Sequence, residues 1–212
     1  MRLLDLFCGA GGAAVGYSRA GFTEIVGVDN RPQKNYPFEF VQADALEYLA
    51  EHGHEFDVIH ASPPCQKFSV MKNLPHAKSH PDLVTPLRQQ FGNLSIPTVI
   101  ENVPGSPMEN TLILCGSMFN LRSTQERYLR RHRLFEIRNG LMIFVPKCNH
   151  QGLAVGVYGH GSAGWIGQRM RTAKAPEARI LMDIPWMTRN ELSQAVPPAY
   201  TEYIGKFILG EN

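Results

Sequence analysis

The sequence predicts an α/β protein in which a doubly wound, mostly parallel sheet is covered by helices on both faces. Apolar runs of strand length alternate with helical stretches along the first half of the chain. Several of these runs are apolar throughout, as parallel strands buried on both faces are. A glycine-rich turn joins the first run to the first helix, which is typical of nucleotide-binding folds of this class. The 212 residues are most simply one domain.

The predicted elements follow one another with short connections. The first strand leads through the glycine turn into a helix from Ala13 to Ala20, and Gly21 is expected to end that helix. Pro198–Leu209 predicts an amphipathic helix, because apolar side chains recur there at helical spacing after two prolines. Between these elements we expect a helix at Ala45–Gly53 and strands at Glu24–Asp29, Glu39–Asp44, Phe56–Ala61, Pro97–Val103, Leu112–Phe119, Arg131–Ile137 and Leu141–Val145.

The composition is that of a globular protein, with 43% hydrophobic and 19% charged residues. The net charge of +2 does not by itself demand a nucleic-acid partner, although a local basic patch could bind one. The four cysteines are widely spaced, and we see no signal peptide, so we expect a reduced, cytoplasmic setting. No apolar run approaches the length of about 18 residues that a membrane span needs.

The first candidate site is the glycine-rich turn at Phe7–Gly12. Glycines there let a ligand approach the backbone, and the following helix supplies free N–H groups. Asp29 ends the second strand and Asp44 follows the third, where carboxylates suit the ribose and exocyclic amine of an adenosine-like ligand. The alternative is that both carboxylates cap helices, which fits Asp44 well. The pattern is not G-x-G-x-x-G, which favours S-adenosylmethionine over NAD.

The second candidate site combines a thiol, a carboxylate and arginines. Cys65 follows the fourth strand and Glu101 ends the fifth, so both are expected at one edge of the sheet. Five of the seven residues in Arg127–Arg133 are basic, counting the histidine, and strand alternation predicts that Arg131 and Arg133 point the same way. Taken singly, these features also fit a packed cysteine, a turn and a solvated basic face.

The segment Asn139–Arg169 is rich in glycine and aromatic residues and poor in charge, which predicts a binding loop or a partly disordered insertion. Cys148 and His150 within it are two candidate metal ligands. Without a second pair nearby they are a weak signal, and no metal is predicted.

The chain resembles the DNA cytosine-5 methyltransferase family, and specifically its compact phage-type members. Seven stretches match the family motifs in family order over most of the chain, and seven ordered matches are far more specific than any one of them. They read DLFCGAGG, VGVDN, QADAL, SPPCQKFS, ENVPG, RHRLF and SQAVPPAYTEYIG.

The resemblance implies methyl transfer from S-adenosylmethionine to C5 of cytosine in DNA, through a covalent bond from Cys65 to C6 of a flipped base. Glu101 would hold N3 and the amino group, and Arg133 with Arg131 would orient the base. The implied cofactor contacts are Phe7, Cys8, Gly9, Ala10, Gly11, Gly12, Asp29, Asn30, Asp44, Ala45, Pro64, Ala195 and Val196. The implied nucleic-acid contacts are Ser62, Gln66, Lys67, Ser69, Lys72 and Asn102.

Three departures from the family pattern qualify these expectations. The segment 139–169 is a short insertion where family members carry a target-recognition domain. Residues 190–212 carry the final motif and a helix that we expect to pack on the cofactor side. Leu129 stands where a glutamine is usual, and Ser193-Gln194 replaces Gly-Asn.

We expect a restriction-modification or phage enzyme acting on duplex DNA in a bacterial or phage-infected cell, with a possible separate recognition subunit or homo-oligomer and no membrane. Methylation of tRNA, or a catalytically idle cofactor- or DNA-binding protein, are the alternatives.

Overall fold

The structure is a computed structural model that describes residues 1–64, 82–140, 143–158 and 170–211. Its helices are α1 (Gly12–Ala20), α2 (Ala45–His52), α3 (Val84–Phe91), α4 (Ala175–Met182), α5 (Arg189–Gln194) and α6 (Pro198–Leu209). Its strands are β1 (Arg2–Leu6), β2 (Glu24–Asp29), β3 (Glu39–Gln42), β4 (Val58–Ala61), β5 (Thr98–Asn102), β6 (Thr111–Leu114), β7 (Tyr128–Leu129), β8 (Arg133–Arg138), β9 (Ala154–Gly156) and β10 (Met170–Thr172).

Within the described residues, one sheet of seven strands has the order β3-β2-β1-β4-β5-β8-β6. The strands from β3 to β5 are parallel, whereas β8 runs antiparallel to both of its neighbours. The predicted α/β class with a mostly parallel sheet is therefore confirmed. The strand order reverses direction between β1 and β4, and this switch point is where α/β folds open a ligand crevice.

The carboxyl ends of the central strands lie level with one another. Leu6 on β1 pairs with Val28 on β2 and with Ala61 on β4, and Ala61 pairs with Ile100 on β5. The next residue of each strand therefore falls on one row at the edge of the sheet. That row consists of Asp29, Phe7, Ser62 and Glu101.

Helix α6 packs closely against α1, because small residues line the crossing. A Cβ atom on Gly16 would lie 2.0 Å from Thr201 Oγ1, and one on Gly205 would lie 2.7 Å from the Cβ of Ala20. The Thr201 hydroxyl also donates to the carbonyl oxygen of Ala13 at 2.8 Å. This contact brings the C-terminal motif beside the glycine turn, where the carbonyl oxygen of Val196 lies 2.4 Å from the position of a Cβ on Gly12.

A second, smaller sheet of three parallel strands in the described part of the chain has the order β10-β9-β7. It shares a core with α4 and α5, in which Leu129, Val155, Leu181 and Leu192 are completely buried. The segment predicted as a loop or insertion therefore contributes strand β9 to a packed unit, and its residues 159–169 lie outside the described part.

The prediction of a strand at Leu141–Val145 was wrong for its described residues, which form no strand. The chain leaves β8 through Asn139, which has a φ of 52°, and so turns away from the sheet. The carbonyl oxygen of Phe144 accepts from the Tyr203 hydroxyl of α6 instead of from a neighbouring strand. The Phe144 side chain is 73% exposed.

Among the described helices, none has both the length and the apolar character that crossing a bilayer requires.

Candidate active site

The glycine turn forms an open cradle at the amino end of α1. The backbone of this turn has positive φ values of 56° at Phe7, 49° at Gly9 and 83° at Gly11. A positive φ is strained for a residue with a side chain, so the backbone at Phe7 is strained. No described side chain caps α1 at Gly11, so its first N–H groups face the crevice without a side-chain acceptor. A Cβ on Gly11 would lie 2.6 Å from Pro37 Cδ, so glycine is required there. The cradle fits an anionic group of a ligand.

Asp29 and Trp186 hold the shape of this cradle. Asp29 Oδ2 accepts from the N–H of Gly9 at 3.2 Å, and its Oδ1 accepts from the N–H of Arg31 at 3.0 Å. The Trp186 indole donates to the carbonyl oxygen of Ala10 at 3.1 Å, a contact that the sequence did not indicate. The structure thus places Asp29 against the glycine turn, where contact with ribose hydroxyls stays a prediction, and it adds a support from the C-terminal half of the chain.

Asp44 is the N-cap of α2, as the alternative interpretation of this residue predicted. Its Oδ1 accepts from the N–H groups of Leu46 and Glu47 at 2.8 and 3.1 Å. The side chain is exposed, and contact with a ligand through its other oxygen stays a prediction. The remaining predicted cofactor contacts are buried at Cys8, Ala10, Gly12, Ala45 and Val196, partly buried at Ala195, and exposed at Asn30 and Pro64.

Asp5 lies completely buried beneath the cradle and is a group that sequence reasoning missed. The Tyr36 hydroxyl donates to Asp5 Oδ2 at 3.3 Å, while Oδ1 has no hydrogen-bond partner among the described residues. Burial raises the pKa of Asp5 from its ordinary 3.8 to about 8; the hydrogen bond from Tyr36 lowers it by less, and the charge of Asp29 adds a still smaller rise. Asp5 is therefore protonated at neutral pH.

Replacing Asp5 with asparagine is expected to remove a pH dependence of stability. Between pH 3.8 and about 8 the folded state keeps a proton on Asp5 that the unfolded state has lost. The contribution of Asp5 to the free energy of unfolding is therefore complete below pH 3.8 and is lost as the pH rises through about 8. Between these values the wild-type free energy of unfolding should fall by roughly 1.4 kcal/mol per pH unit at most. Urea unfolding at a series of pH values measures this slope. Asp5→Asn should flatten it, whereas Glu24→Gln, at an exposed carboxyl, should not; equal slopes in all three proteins would contradict the assignment.

Glu101 and Arg133 form a buried pair at the end of β5. Arg133 Nε lies 2.8 Å from Glu101 Oε1 without the alignment of a hydrogen bond, and Oε1 has no hydrogen-bond partner in the described part of the chain. Glu101 is only 6% exposed. Burial raises the pKa of this carboxyl, and Arg133, Ser62 and Arg131 lower it by less. The pair therefore places at the crevice a carboxyl with a raised pKa, one oxygen of which is held by the charge of Arg133 without a hydrogen bond.

A chain of buried hydrogen bonds supports Glu101 from behind. The Tyr17 hydroxyl lies 3.1 Å from His60 Nδ1, and His60 Nε2 lies 2.9 Å from Ser62 Oγ. The Ser62 hydroxyl donates to Glu101. Burial lowers the pKa of His60 to about 3, so this ring is neutral and can donate through only one nitrogen. Ser62, which was expected to contact the nucleic acid, is half-buried, and its hydroxyl supports the Glu101 carboxyl.

Asn102 does not have the exposure that its predicted nucleic-acid contact requires. The side chain is 1% exposed, and its amide donates to the carbonyl oxygen of Pro63 at 3.1 Å. Its own oxygen accepts from the N–H of Val103 and the Ser106 hydroxyl. Asn102 therefore fixes the chain just before Cys65. The predicted positions Cys65, Gln66, Lys67, Ser69 and Lys72 lie outside the described residues.

The expectation that Arg131 and Arg133 point the same way rested on strand alternation, and it stays a prediction. Strand β8 begins only at Arg133, so strand alternation does not apply to Arg131. Arg131 is 2% exposed and donates to the carbonyl oxygens of Val157, Ser193 and Ala195. It therefore ties the C-terminal motif and the small sheet to the arginine motif, and it is not free to bind a base.

Replacing Arg131 with methionine is expected to destabilise the protein by about 3 kcal/mol or more, because buried carbonyl oxygens would lose their donor at about 1–3 kcal/mol each. Thermal or urea unfolding measures the loss. Arg130→Met is the matched control, since Arg130 is exposed and precedes it directly. It should change the stability by no more than about 0.5 kcal/mol. Equal stability of the two variants would contradict this role for Arg131.

The structure also supplies the second ligand pair that the sequence lacked beside Cys148 and His150. Cys115, at the end of β6, and His132, in the arginine motif, join them in a cluster whose ligand atoms all lie within 4.8 Å of one another. No sequence signal connects these four residues, because they come from three separate segments. The premise that no further ligands lie nearby was wrong.

Comparison with known proteins supports the motif assignment in the first half of the chain. Residues 1–103 match the model of the family described as C-5 cytosine-specific DNA methylase. The Type II methyltransferase M.FnuDI of Fusobacterium nucleatum is 39% identical over 75 residues, which are 32% of this chain and 22% of that protein. M.HgiDI of Herpetosiphon aurantiacus is 38% identical over 80 residues, which are 32% of this chain and 26% of that protein. The chain thus matches about a quarter of these relatives' length.

Two solved structures share the fold over nearly the whole chain. An Escherichia coli protein described as a DNA modification methyltransferase encoded within a prophage has a TM-score of 0.63 at 16% identity, covering 99% of both chains. The Dnmt2 methyltransferase of S. pombe has a TM-score of 0.62 at 13% identity, covering 99% of this chain and 98% of that one. At these identities the likeness concerns the fold. The likeness to the C-5 cytosine-specific DNA methylase family therefore rests on residues 1–103, which match its model.

Proposed function

We propose that the protein transfers a methyl group from S-adenosylmethionine to C5 of cytosine in DNA. The observation that supports this most directly is the buried Glu101 carboxyl, which has one oxygen without a hydrogen-bond partner in the described part of the chain and has Arg133 beside it. A buried polar group without a partner is costly unless a ligand satisfies it. The edge of cytosine that carries N3 and the amino group offers the acceptor and the donor that this carboxyl needs.

S-adenosylmethionine is expected at the cradle of Phe7–Gly12, where it supplies an electrophilic methyl group. The uncapped amino end of α1 suits the carboxylate of its methionine part. Asp29 would accept from the ribose hydroxyls, and Asp44 would accept from the adenine amino group. Val196 and Ala195 close the other side of the cradle, where the glycine at position 12 leaves room for the carbonyl group of Val196 and the Cβ of Ala195.

Cys65 is the proposed nucleophile. Its thiolate would add to C6 of the base, which makes C5 nucleophilic; after methyl transfer, loss of the C5 proton expels the thiolate. Protonation of N3 by Glu101 favours the addition, because it draws electron density away from C6. Arg133 would orient the base and its carbonyl oxygen. Asn102 supports this geometry by fixing Pro63, two residues before the thiol.

A base in duplex DNA must leave the stack before Cys65 can reach C6, at a cost of roughly a few kcal/mol. Phosphate contacts from Lys67 and Lys72 would help to meet that cost. The segment 139–169 is too short for a full target-recognition domain. We therefore expect weak or short sequence specificity, or recognition that depends on another subunit or a second copy of the chain.

Methyl transfer from labelled S-adenosylmethionine should be measured in parallel on duplex DNA, single-stranded DNA, tRNA and free nucleotides. Incorporation into DNA with the label recovered as 5-methylcytosine is the expected result, and sequencing of the product gives the sequence context. Incorporation into tRNA alone would replace the proposed substrate. Cofactor and DNA binding without transfer to any substrate would favour an idle binding protein.

A further inference from the structure

The cluster of Cys115, His132, Cys148 and His150 lies outside the proposed active site and has no part in its chemistry. Cys115 directly follows β6, and His132 directly precedes β8. Cys148 and His150 belong to the segment between β8 and β9. One sulfur or nitrogen atom of each residue lies within 4.8 Å of the corresponding atom of every other. The fold thus gathers two thiols and two imidazoles from three segments at one place.

The distances inside the cluster fit a tetrahedral ion. Zinc binds sulfur at about 2.3 Å and nitrogen at about 2.0–2.1 Å, which sets the sulfur-to-nitrogen edge of a tetrahedron at about 3.6 Å. Cys115 Sγ lies 3.6 Å from His150 Nε2, and Cys148 Sγ lies 3.5 Å from His132 Nε2. These two edges have the required length, and the others, all within 4.8 Å, need to shorten by about 1.5 Å or less.

The charge and the supports of the cluster also favour a dication. Two thiolates and two neutral imidazoles around a dication carry no net charge, which suits a site where Cys115 is buried and His132 and Cys148 are half-buried. The Ser117 hydroxyl donates to Cys115 Sγ at 3.5 Å. The Tyr128 ring stacks on His150 with 4° between the ring planes, and its hydroxyl donates to the His150 carbonyl oxygen. Such outer contacts orient ligands in metal sites.

We propose that Cys115, His132, Cys148 and His150 bind one Zn²⁺ ion as a closed structural site. Two sulfur and two nitrogen ligands in a tetrahedron are the typical donor set of structural zinc, and four protein ligands leave no position for a substrate. The ion would fasten the segment between β8 and β9 to the end of β6. It would also fix His132, which stands between Arg131 and Arg133.

The first test is the metal content of the full-length protein purified without chelators, measured by plasma mass spectrometry. The expected result is about one zinc per chain in the wild type and almost none in Cys148→Ser or His150→Ala, because a four-ligand site seldom survives the loss of one ligand. Both substitutions lie outside the buried core, so the variants should fold. Cys8→Ala and His54→Ala, which remove a thiol and an imidazole elsewhere, should keep the zinc. Equal zinc content in all five proteins, or none in any, would overturn the site.

Cobalt substitution tests the geometry independently of methyl transfer. Metal-free wild-type protein titrated with Co²⁺ should develop the visible bands of a tetrahedral ion and the near-ultraviolet charge transfer of a thiolate ligand. Cys148→Ser should show weaker charge transfer, and zinc should displace the signal. A chelator should lower the melting temperature of the wild type and leave that of Cys148→Ser unchanged. A Cys115–Cys148 disulfide in protein purified under reducing conditions, without cobalt binding, would overturn the proposal.

Discussion

Replacing Cys65 with serine is expected to reduce methyl transfer to cytosine in DNA by on the order of 10⁴-fold or more, as loss of the nucleophile does in other covalent enzymes. A thiol with an ordinary pKa is partly ionised near neutral pH, whereas a serine hydroxyl is not, so the variant cannot add to C6 at a useful rate. Binding of S-adenosylmethionine, measured by calorimetry, should be unchanged because the cradle is built from other residues.

The other three cysteines are poor candidates for this role. Cys8 is buried, and burial together with Asp5 and Asp29 raises the pKa of its thiol well above the ordinary value. Cys115 is completely inaccessible to solvent, and a base could not reach it. Cys148 lies in the cluster beside His132, and burial with the nearby Cys115 raises the pKa of its thiol. These three cysteines are therefore poorer candidates for the proposed nucleophile than Cys65.

A duplex containing 5-fluorocytosine gives the sharper measurement. Fluorine cannot leave C5 as a proton does, so the Cys65–C6 bond should persist and be visible as a denaturation-resistant complex in the presence of S-adenosylmethionine. Cys65→Ser should form no such complex. Cys148→Ser is the matched control, because it removes a thiol outside the proposed site, and its folded fraction should still be trapped. A trapped complex in Cys65→Ser, or an adduct mapped to another cysteine, would remove Cys65 from the mechanism.

The elements that the sequence predicted well are those whose signals are local. Gly21 ends α1 with a φ of 114°, and the acidic N-cap Asp44 starts α2, so short-range rules were sufficient for both. Pro198–Leu209 has the predicted bounds, because its prolines and its apolar face lie within the helix itself. The row of residues at the carboxyl ends of β1, β2, β4 and β5 followed from the parallel sheet alone.

Local signals failed where a side chain is satisfied by distant parts of the chain. Arg131 finds its acceptors on Val157, Ser193 and Ala195, and nothing near Arg131 in the sequence indicates that these carbonyl oxygens are available. Strands β7, β9 and β10 are two or three residues long, too short for a periodic pattern. The Cys/His cluster was missed because its members are distant in the sequence and come together only when β6 pairs with β8.

Glu101 was predicted from its position, but the property that makes it useful comes from burial. Beside an arginine, a carboxylate ordinarily has a lowered pKa. Here burial outweighs Arg133, so the pKa of Glu101 is raised and the acid form persists to higher pH. The supporting hydrogen bonds from His60 through Ser62 could not be inferred from a motif, because they depend on the pairing of β4 with its neighbours.

Replacing Glu101 with glutamine is therefore expected to reduce kcat by about 10²-fold or more while changing KM for DNA much less. The amide keeps the shape of the carboxyl, and it can still donate to N3 and accept from the amino group of cytosine. It cannot deliver a proton to N3, and this loss is felt only as Cys65 adds to C6. A rise in KM of about 10²-fold with an unchanged kcat would instead mean that Glu101 only binds the base.

The pH profile separates this acid role from a purely structural one. In the proposed mechanism the active form of Glu101 is protonated, so wild-type activity should fall on the alkaline side as the pH rises through the raised pKa of Glu101. The glutamine variant should lose that alkaline limb. Glu136→Gln is the matched control, since Glu136 is a buried carboxyl of the same sheet, paired with Arg88 and Arg138. That variant should be less stable, but its folded fraction should keep the alkaline limb, because only Glu101 would exchange a proton with the base.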